Sequence, residues 1–359
     1  MTRSWQLKLE TRLLRAWQHR GWLAYLLWPL SQAFGALTAL RRTLYRWGWL
    51  RVEAVRVPVI VVGSVVVGGV GKTPIVMALV DHLRAQGWQV GVIARGHGRT
   101  TADCREVLTE SLAQEVGDEC LLIRQRTGAA TFVAFRRIEA ARALLAAYPA
   151  TQVIVTDDGL QHLSLQRDLE LCVLDGRGTG NGFLLPAGLL REPWPRPGQP
   201  SQPSLHRPTP LQWTVLTGNP LENAGGSLVG FRSTRQLATY GVQANGTRVT
   251  LAALAESVAS GHVRLCAVAG IAQPEVFFTQ LRLRGLHLAD TKALPDHYNF
   301  DSFNSSINIE FQLICTEKDA VKLWKIDPLA LAVPLEVELD PKLLTAVDTA
   351  LQARLSSKS

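Results

Sequence analysis

Apolar runs of strand length alternate along this chain with stretches whose apolar residues recur every three or four positions. Val57 to Thr73 reads VPVIVVGSVVVGGVGKT, a β-branched run suited to a strand buried on both faces that closes on glycines, Lys72 and Thr73. Pro74 to Val80 can begin a helix, with proline tolerated in its first turn. Trp88 to Ala94 predicts a second buried strand, Cys120 to Arg126 a helix, Thr131 to Phe135 a strand and Arg136 to Tyr148 an alanine-rich helix. Val153 to Thr156 and Leu169 to Leu174 read as further strands. The alternation predicts a parallel, doubly wound α/β sheet. Residues 193–210 hold seven prolines in eighteen positions, so a linker or surface excursion is expected there. Leu211 to Thr217 looks like another strand. A second α/β pattern follows, with strands at Val263–Ala269, Gln312–Cys315 and Ala332–Leu339 and helices at Pro274–Arg284, Lys318–Lys325 and Pro341–Leu355. The expected division is a leader (1–56), a core domain (57–195), a linker (196–210) and a smaller C-terminal α/β domain (211–359).

Charge changes the picture once it is located. Residues 1–56 carry ten Lys/Arg against Glu10 and Glu53, whereas the other 28 basic and 28 acidic residues cancel. A nucleic-acid protein would spread basic charge over its folded face, so no nucleic-acid partner is expected. The leader also holds six of the ten tryptophans, and Gly21 to Leu40 is uncharged between Arg20 and Arg41-Arg42. Aromatic rings with cationic ends suit a headgroup layer, where arginine meets anionic lipid. The apolar run is too long for a cleaved signal peptide and lacks a convincing small-residue cleavage site. A spanning helix fits by length, but Pro29, Ser31, Gln32, Gly35 and Thr38 dilute it. An interfacial helical pair is the preferred reading, with ordinary packing on the body as the bland one. Five scattered cysteines, none in a CxxC pair, read as buried free thiols in a reducing compartment.

Strand, glycine loop, Lys-Thr and helix together form a phosphate-cradling arrangement. The backbone N–H groups of Gly68, Gly69, Val70 and Gly71 can approach phosphate oxygens, Lys72 can reach the β/γ-phosphates, and Thr73 can ligate Mg²⁺. A strict GxxxxGK[ST] loop would have glycine at Val66, which leaves a glycine-rich turn as the competing reading. Downstream, a strand delivering Asp157 at its tip fits a carboxylate that shares the metal with Thr73. Arg95 and Arg99 flank glycines where open α/β sheets bind ligands, and could clamp phosphate or form a solvated turn. Asp118 and Glu119, at a helix start, could equally be caps and dipole partners.

Seven stretches stand together: GGVGKTP (68–74), RGHGR (95–99), VGDE (116–119), DDGLQH (157–162), LPAGLLREP (185–193), PDHYNF (295–300) and TEKDAVKL (316–323). In this order the chain closely resembles the tetraacyldisaccharide 4′-kinases of lipid A biosynthesis. The resemblance implies a P-loop NTPase-like core, a second, smaller α/β domain and a membrane-associated helical leader. It also implies ATP and Mg²⁺ as cofactors and phosphorylation of the 4′-hydroxyl of a tetraacyldisaccharide 1-phosphate at the cytoplasmic face of a Gram-negative inner membrane. Asp118 and His297 match the pair that activates the sugar hydroxyl, and Asp157 and Asp158 match acidic residues with metal and hydroxyl tasks. Arg95, Arg99, Glu119, Gln161, His162 and Arg191 are the implied substrate-binding candidates. Ser64, Val66, Val70, His97, Ala272 and Gln273 depart from the residues common in the family.

Phosphoryl transfer needs positioning and charge neutralisation more than a strong base. Asp118 can therefore accept the proton late, with His297 ordered by Asp296 or Asp118, while Lys72, Mg²⁺ and one of Arg95, Arg99 or Arg191 neutralise phosphate oxygens. A membrane-associated switch ATPase of the partitioning or cell-division type is the alternative, since its loop reads KGGVGKT. Val67 stands here in place of its signature lysine.

Overall fold

β1 (Val59–Gly63), buried at every position, runs at the centre of a parallel array. On one side lie β5 (Val153–Asp157), β2 (Val90–Ala94) and β4 (Ala130–Val133), with β3 (Arg105–Val107) antiparallel at the edge. On the other lie β6 (Leu169–Leu174), β7 (Leu211–Thr217) and β8 (Phe231–Leu237), also parallel, and then β15 (Leu335–Leu339) antiparallel. The computed structural model describes residues 17–194, 210–217, 230–296, 298–300, 303 and 311–356. His297 and nearly all of the expected linker lie outside the described residues.

A second, six-stranded sheet is built from β9 (Tyr240–Val242), β10 (Arg248–Thr250), β11 (Leu265–Ala269), β12 (Leu288–Ala293), β13 (Gln312–Thr316) and β14 (Leu331–Val333), in the order β10-β9-β14-β13-β11-β12. Sheet membership does not follow the boundary expected at 196–210. β7, β8 and β15 all extend the first sheet, and Leu343, Val347 and Leu351 of the closing helix α9 (Pro341–Ser356) sit in its core. The single strand expected over Ala332–Leu339 is two strands in different sheets, broken at Pro334, which cannot donate to a ladder. The chain thus crosses between lobes at 238–239 and back at 334, and Leu237 pairs with Leu335 where the two crossings begin and end.

α1 (Trp22–Arg46) lies against the 181–192 loop. The Ser31 hydroxyl donates to the Leu184 carbonyl at 2.9 Å, Gly35 lies close against the tip of the Leu184 side chain, Tyr25 meets the Phe183 ring edge-on, and Arg42 pairs with Glu192. Just before the helix, Trp17 Nε1 donates to the Pro186 carbonyl. The opposite face is bare: Trp22 is 78% exposed and Leu26, Leu30, Leu37 and Leu40 are 55–66% exposed.

Candidate active site

Register positions the first group of site residues. Val62 of β1 pairs with Asp157 of β5, so the glycine loop and the aspartate leave adjacent strand ends. Gly71 holds φ +78° as the N-cap of α2 (Lys72–Ala85), a left-handed conformation that favours glycine, and a Cβ there would run into Arg235. The helix then presents Lys72 and Thr73. The buried Thr73 hydroxyl donates to Asp157 Oδ2 at 3.0 Å, Lys72 Nζ lies 3.6 Å from Asp158 Oδ1, and Arg191 lies 3.6 Å from Asp158 Oδ2. Burial, with Glu119 nearby, pushes the Asp157 carboxyl up to about 7 against the pull of Lys72. Asp157 Oδ1 is buried with no hydrogen-bond partner among the described residues. A lone carboxylate oxygen beside a threonine hydroxyl, at the foot of a phosphate cradle, is a hard-oxygen donor set that fits Mg²⁺.

The second group comes from both lobes. α3 (Ala113–Val116) ends at Gly117, whose φ of +89° turns the chain into α4 (Asp118–Thr127). Asp118 is 4% exposed, and its Oδ1 accepts from the Glu119 backbone N–H at 3.0 Å. α8 (Glu317–Leu323) meets this helix from the other lobe. Lys322 Nζ donates to Asp118 Oδ2 at 3.1 Å, Lys318 pairs with Glu119 at 3.4 Å and with Asp296 at 3.0 Å, and Glu317 pairs with Arg126 at 3.0 Å. Burial works against the Lys318 charge, but Glu119, Asp118 and Asp296 outweigh it and hold the ammonium above its ordinary pKa.

Between the groups lies a cavity of about 380 Å³. Gly69 to Thr73, Asp175 and Arg235 form one wall, Glu119, Asp296 and Lys318 another, and Leu237, Ile271, Phe277 and Leu335 an apolar end. Ile271, Ala272 and Gln273, from the loop before α7 (Pro274–Leu283), also line it. A polar end in which Lys72, Arg235 and Lys318 stand among carboxylates, joined to an apolar slot, suits a nucleotide. A model of the tetraacyldisaccharide-1-P 4′-kinase family matches residues 23–352. The chain belongs to this family. It is 52% identical over 349 residues to the tetraacyldisaccharide 4′-kinase of Acidovorax sp. (strain JS42), covering 97% of each chain. Against that of Polaromonas naphthalenivorans it is 51% identical over 348 residues, covering 96% of each. The crystal structure of LpxK from Aquifex aeolicus in complex with ATP superposes with a TM-score of 0.74 at 25% identity, covering 92% of this chain and 99% of that one.

The 4′-kinase fold brings Gly69, Val70, Gly71, Lys72, Thr73 and Glu119 to the cavity, with Asp157, Asp158 and Arg191 linked to them through Thr73 and Lys72. Gly68, at φ +99°, faces the Arg177 guanidinium. The other candidates have partners of their own, Gln161 through Arg191 of the site. Arg99 donates to the Asp103 carbonyl, and Arg95 stacks on Phe135. Gln161 donates to the Ser64 carbonyl and to Glu192, and accepts from Arg191. His162 Nε2 accepts from the Arg137 amide and contacts the Ser164 hydroxyl. Burial, with Arg137 and Arg167 nearby, pushes its pKa down to about 4, so it stays neutral.

Three arginines carry functions that sequence reasoning missed. Arg137, on α5 (Arg137–Ala147), donates to the carbonyls of Asp157 and Asp158, the latter residue held at a left-handed φ of +48°. Arg167, paired with the buried Glu170, donates to the carbonyls of Gly159, Leu160 and His162. Arg235 and the Thr217 hydroxyl both donate to the Val70 carbonyl, so β7 and β8 brace the phosphate loop. No local pattern marks any of the three: Arg137 and Arg235 work through contacts distant in sequence, and Arg167 through the fold of the loop just before it.

Proposed function

We propose that this chain transfers the γ-phosphoryl group of ATP to the 4′-hydroxyl of a tetraacyldisaccharide 1-phosphate, a lipid A precursor, with Mg²⁺ as cofactor. The observation that carries the reading is a cavity lined by Lys72 and Thr73 on one side and by Glu119, Asp296 and Lys318 on the other, with Asp118 beside Glu119 and bonded to Lys322. The glycine-loop amides and the start of α2 hold the triphosphate, Lys72 neutralises its outer oxygens, and the apolar end takes the base. Thr73 and Asp157 would hold Mg²⁺, which when bound screens the negative charge of the phosphates being brought together. Asp118 accepts the hydroxyl proton as the new P–O bond forms and the bond from the γ-phosphorus to the bridging oxygen breaks, releasing ADP; His297 serves as its partner, and Asp158 with Arg191 orients the incoming group.

The acceptor is a lipid, and the bare face of α1 supports a bilayer surface as the place of work. α1 is long and apolar enough to span, at 25 residues. Its docking on the 181–192 loop at Tyr25, Ser31, Gly35 and Arg42 favours a helix lying in the interface, however, with arginines toward anionic headgroups at the cytoplasmic face of the inner membrane. The test is radiolabelled ATP with the tetraacyldisaccharide 1-phosphate in detergent. The expected result is label in the lipid; ATP hydrolysis that is equally fast without the lipid and never marks it would overturn the reading.

A further inference from the structure

The seam between α4 and α8 is a short ladder of opposite charges: Asp118 with Lys322, Glu119 with Lys318, and Arg126 with Glu317. Only the first rung touches the proton acceptor, and it is the driest, with side chains 5% and 13% exposed. A carboxylate in such a place keeps its charge only if an opposite charge and hydrogen bonds replace the water it has lost. Among the described residues, the Glu119 amide of its own helix donates to Asp118 Oδ1, and the Lys322 ammonium brings a full charge to Oδ2 from the other lobe. We propose that Lys322 is a positioning residue for Asp118, its ammonium aiming the carboxylate from the C-terminal lobe seated on α4. The proposal rests on Asp118 being the proton acceptor. Lys322 does not line the nucleotide cavity, so its removal acts on turnover rather than on ATP binding.

In the lipid-phosphorylation assay, Lys322→Met lowers kcat by about tenfold or more, as befits loss of positioned proton transfer, with KM for ATP little changed. Lys322→Arg restores most of the rate. In an Asp118→Asn background, Lys322→Met adds no further loss, because the group it serves is gone. Arg126→Gln removes another rung without touching Asp118 and leaves kcat within about twofold. If Lys322→Met does not fold, Lys322→Gln reads the same quantity. Normal kcat in Lys322→Met or Lys322→Gln, while Asp118→Asn is inactive, overturns the proposal and leaves the assignment of Asp118 standing. So does an undiminished Lys322→Met loss in the Asp118→Asn background, or an equal loss in Arg126→Gln. Turnover retained by Asp118→Asn overturns the assignment itself, and the proposal with it.

Discussion

Asp157 Oδ1, buried beside the Thr73 hydroxyl without a hydrogen-bond partner among the described residues, is the atom that points to a metal role. Thr73→Ala should raise the Mg²⁺ concentration needed for half-maximal rate, and an unchanged metal titration would remove that role. Asp118→Ala and His297→Ala should each lower kcat by about tenfold or more, within the range for positioned acid–base groups, with ATP affinity little changed. His162 makes a prediction about stability. Its pKa falls from the ordinary 6.5 to about 4 in the fold, so the unfolded chain binds the extra proton first. Stability should therefore be full above 6.5 and decline as pH falls toward 4, and denaturant titrations of His162→Gln should show a shallower decline over that window. The phosphate loop and Asp157 were legible in sequence because strand, loop and helix are contiguous there. Arg137 and Arg167 were not, since an arginine whose carbonyl partner is set by the folding back of a loop looks locally like a solvated charge.

Among elements, α1 is the clearest case of a helix whose partner is only half accounted for. Its docked stripe is polar and small, whereas Leu26, Leu30 and Leu37 point away from the body at 60–66% exposure. Burying each such leucine in lipid is worth roughly 1.5–3 kcal/mol. Leu26→Glu with Leu37→Glu should leave the fold intact and shift the protein from the membrane pellet to the soluble fraction; unchanged sedimentation would argue against interfacial seating. Strands with continuous aliphatic runs, such as β1, β6 and β11, stand where their sequences predict them. β8, reading FRSTRQL, and β12, reading LADTKA, carry no such run, because one lies beside the antiparallel strand β15 and the other at a sheet edge. Pro334 was visible in sequence, but not that the residues on its two sides would join different sheets.

For the whole molecule, the first sheet is assembled from segments separated by most of the chain. A fragment ending at residue 195 lacks β7, β8, β15 and the three buried side chains of α9, each worth ~2–5 kcal/mol by truncation to alanine. It should show no cooperative unfolding transition, whereas the full chain should; a sharp transition in the fragment would mean that the first sheet closes without them. The two passages between lobes add a constraint of another kind. A body hung by one strand of polypeptide can pivot in every direction, but this one hangs by two, at 238–239 and at 334, flanked by the paired residues Leu237 and Leu335. Like a door on a pair of pins, it is left with one easy rotation. Because Leu237 and Leu335 also wall the apolar end of the cavity, the base would rest near the pivot line and be displaced least by the swing.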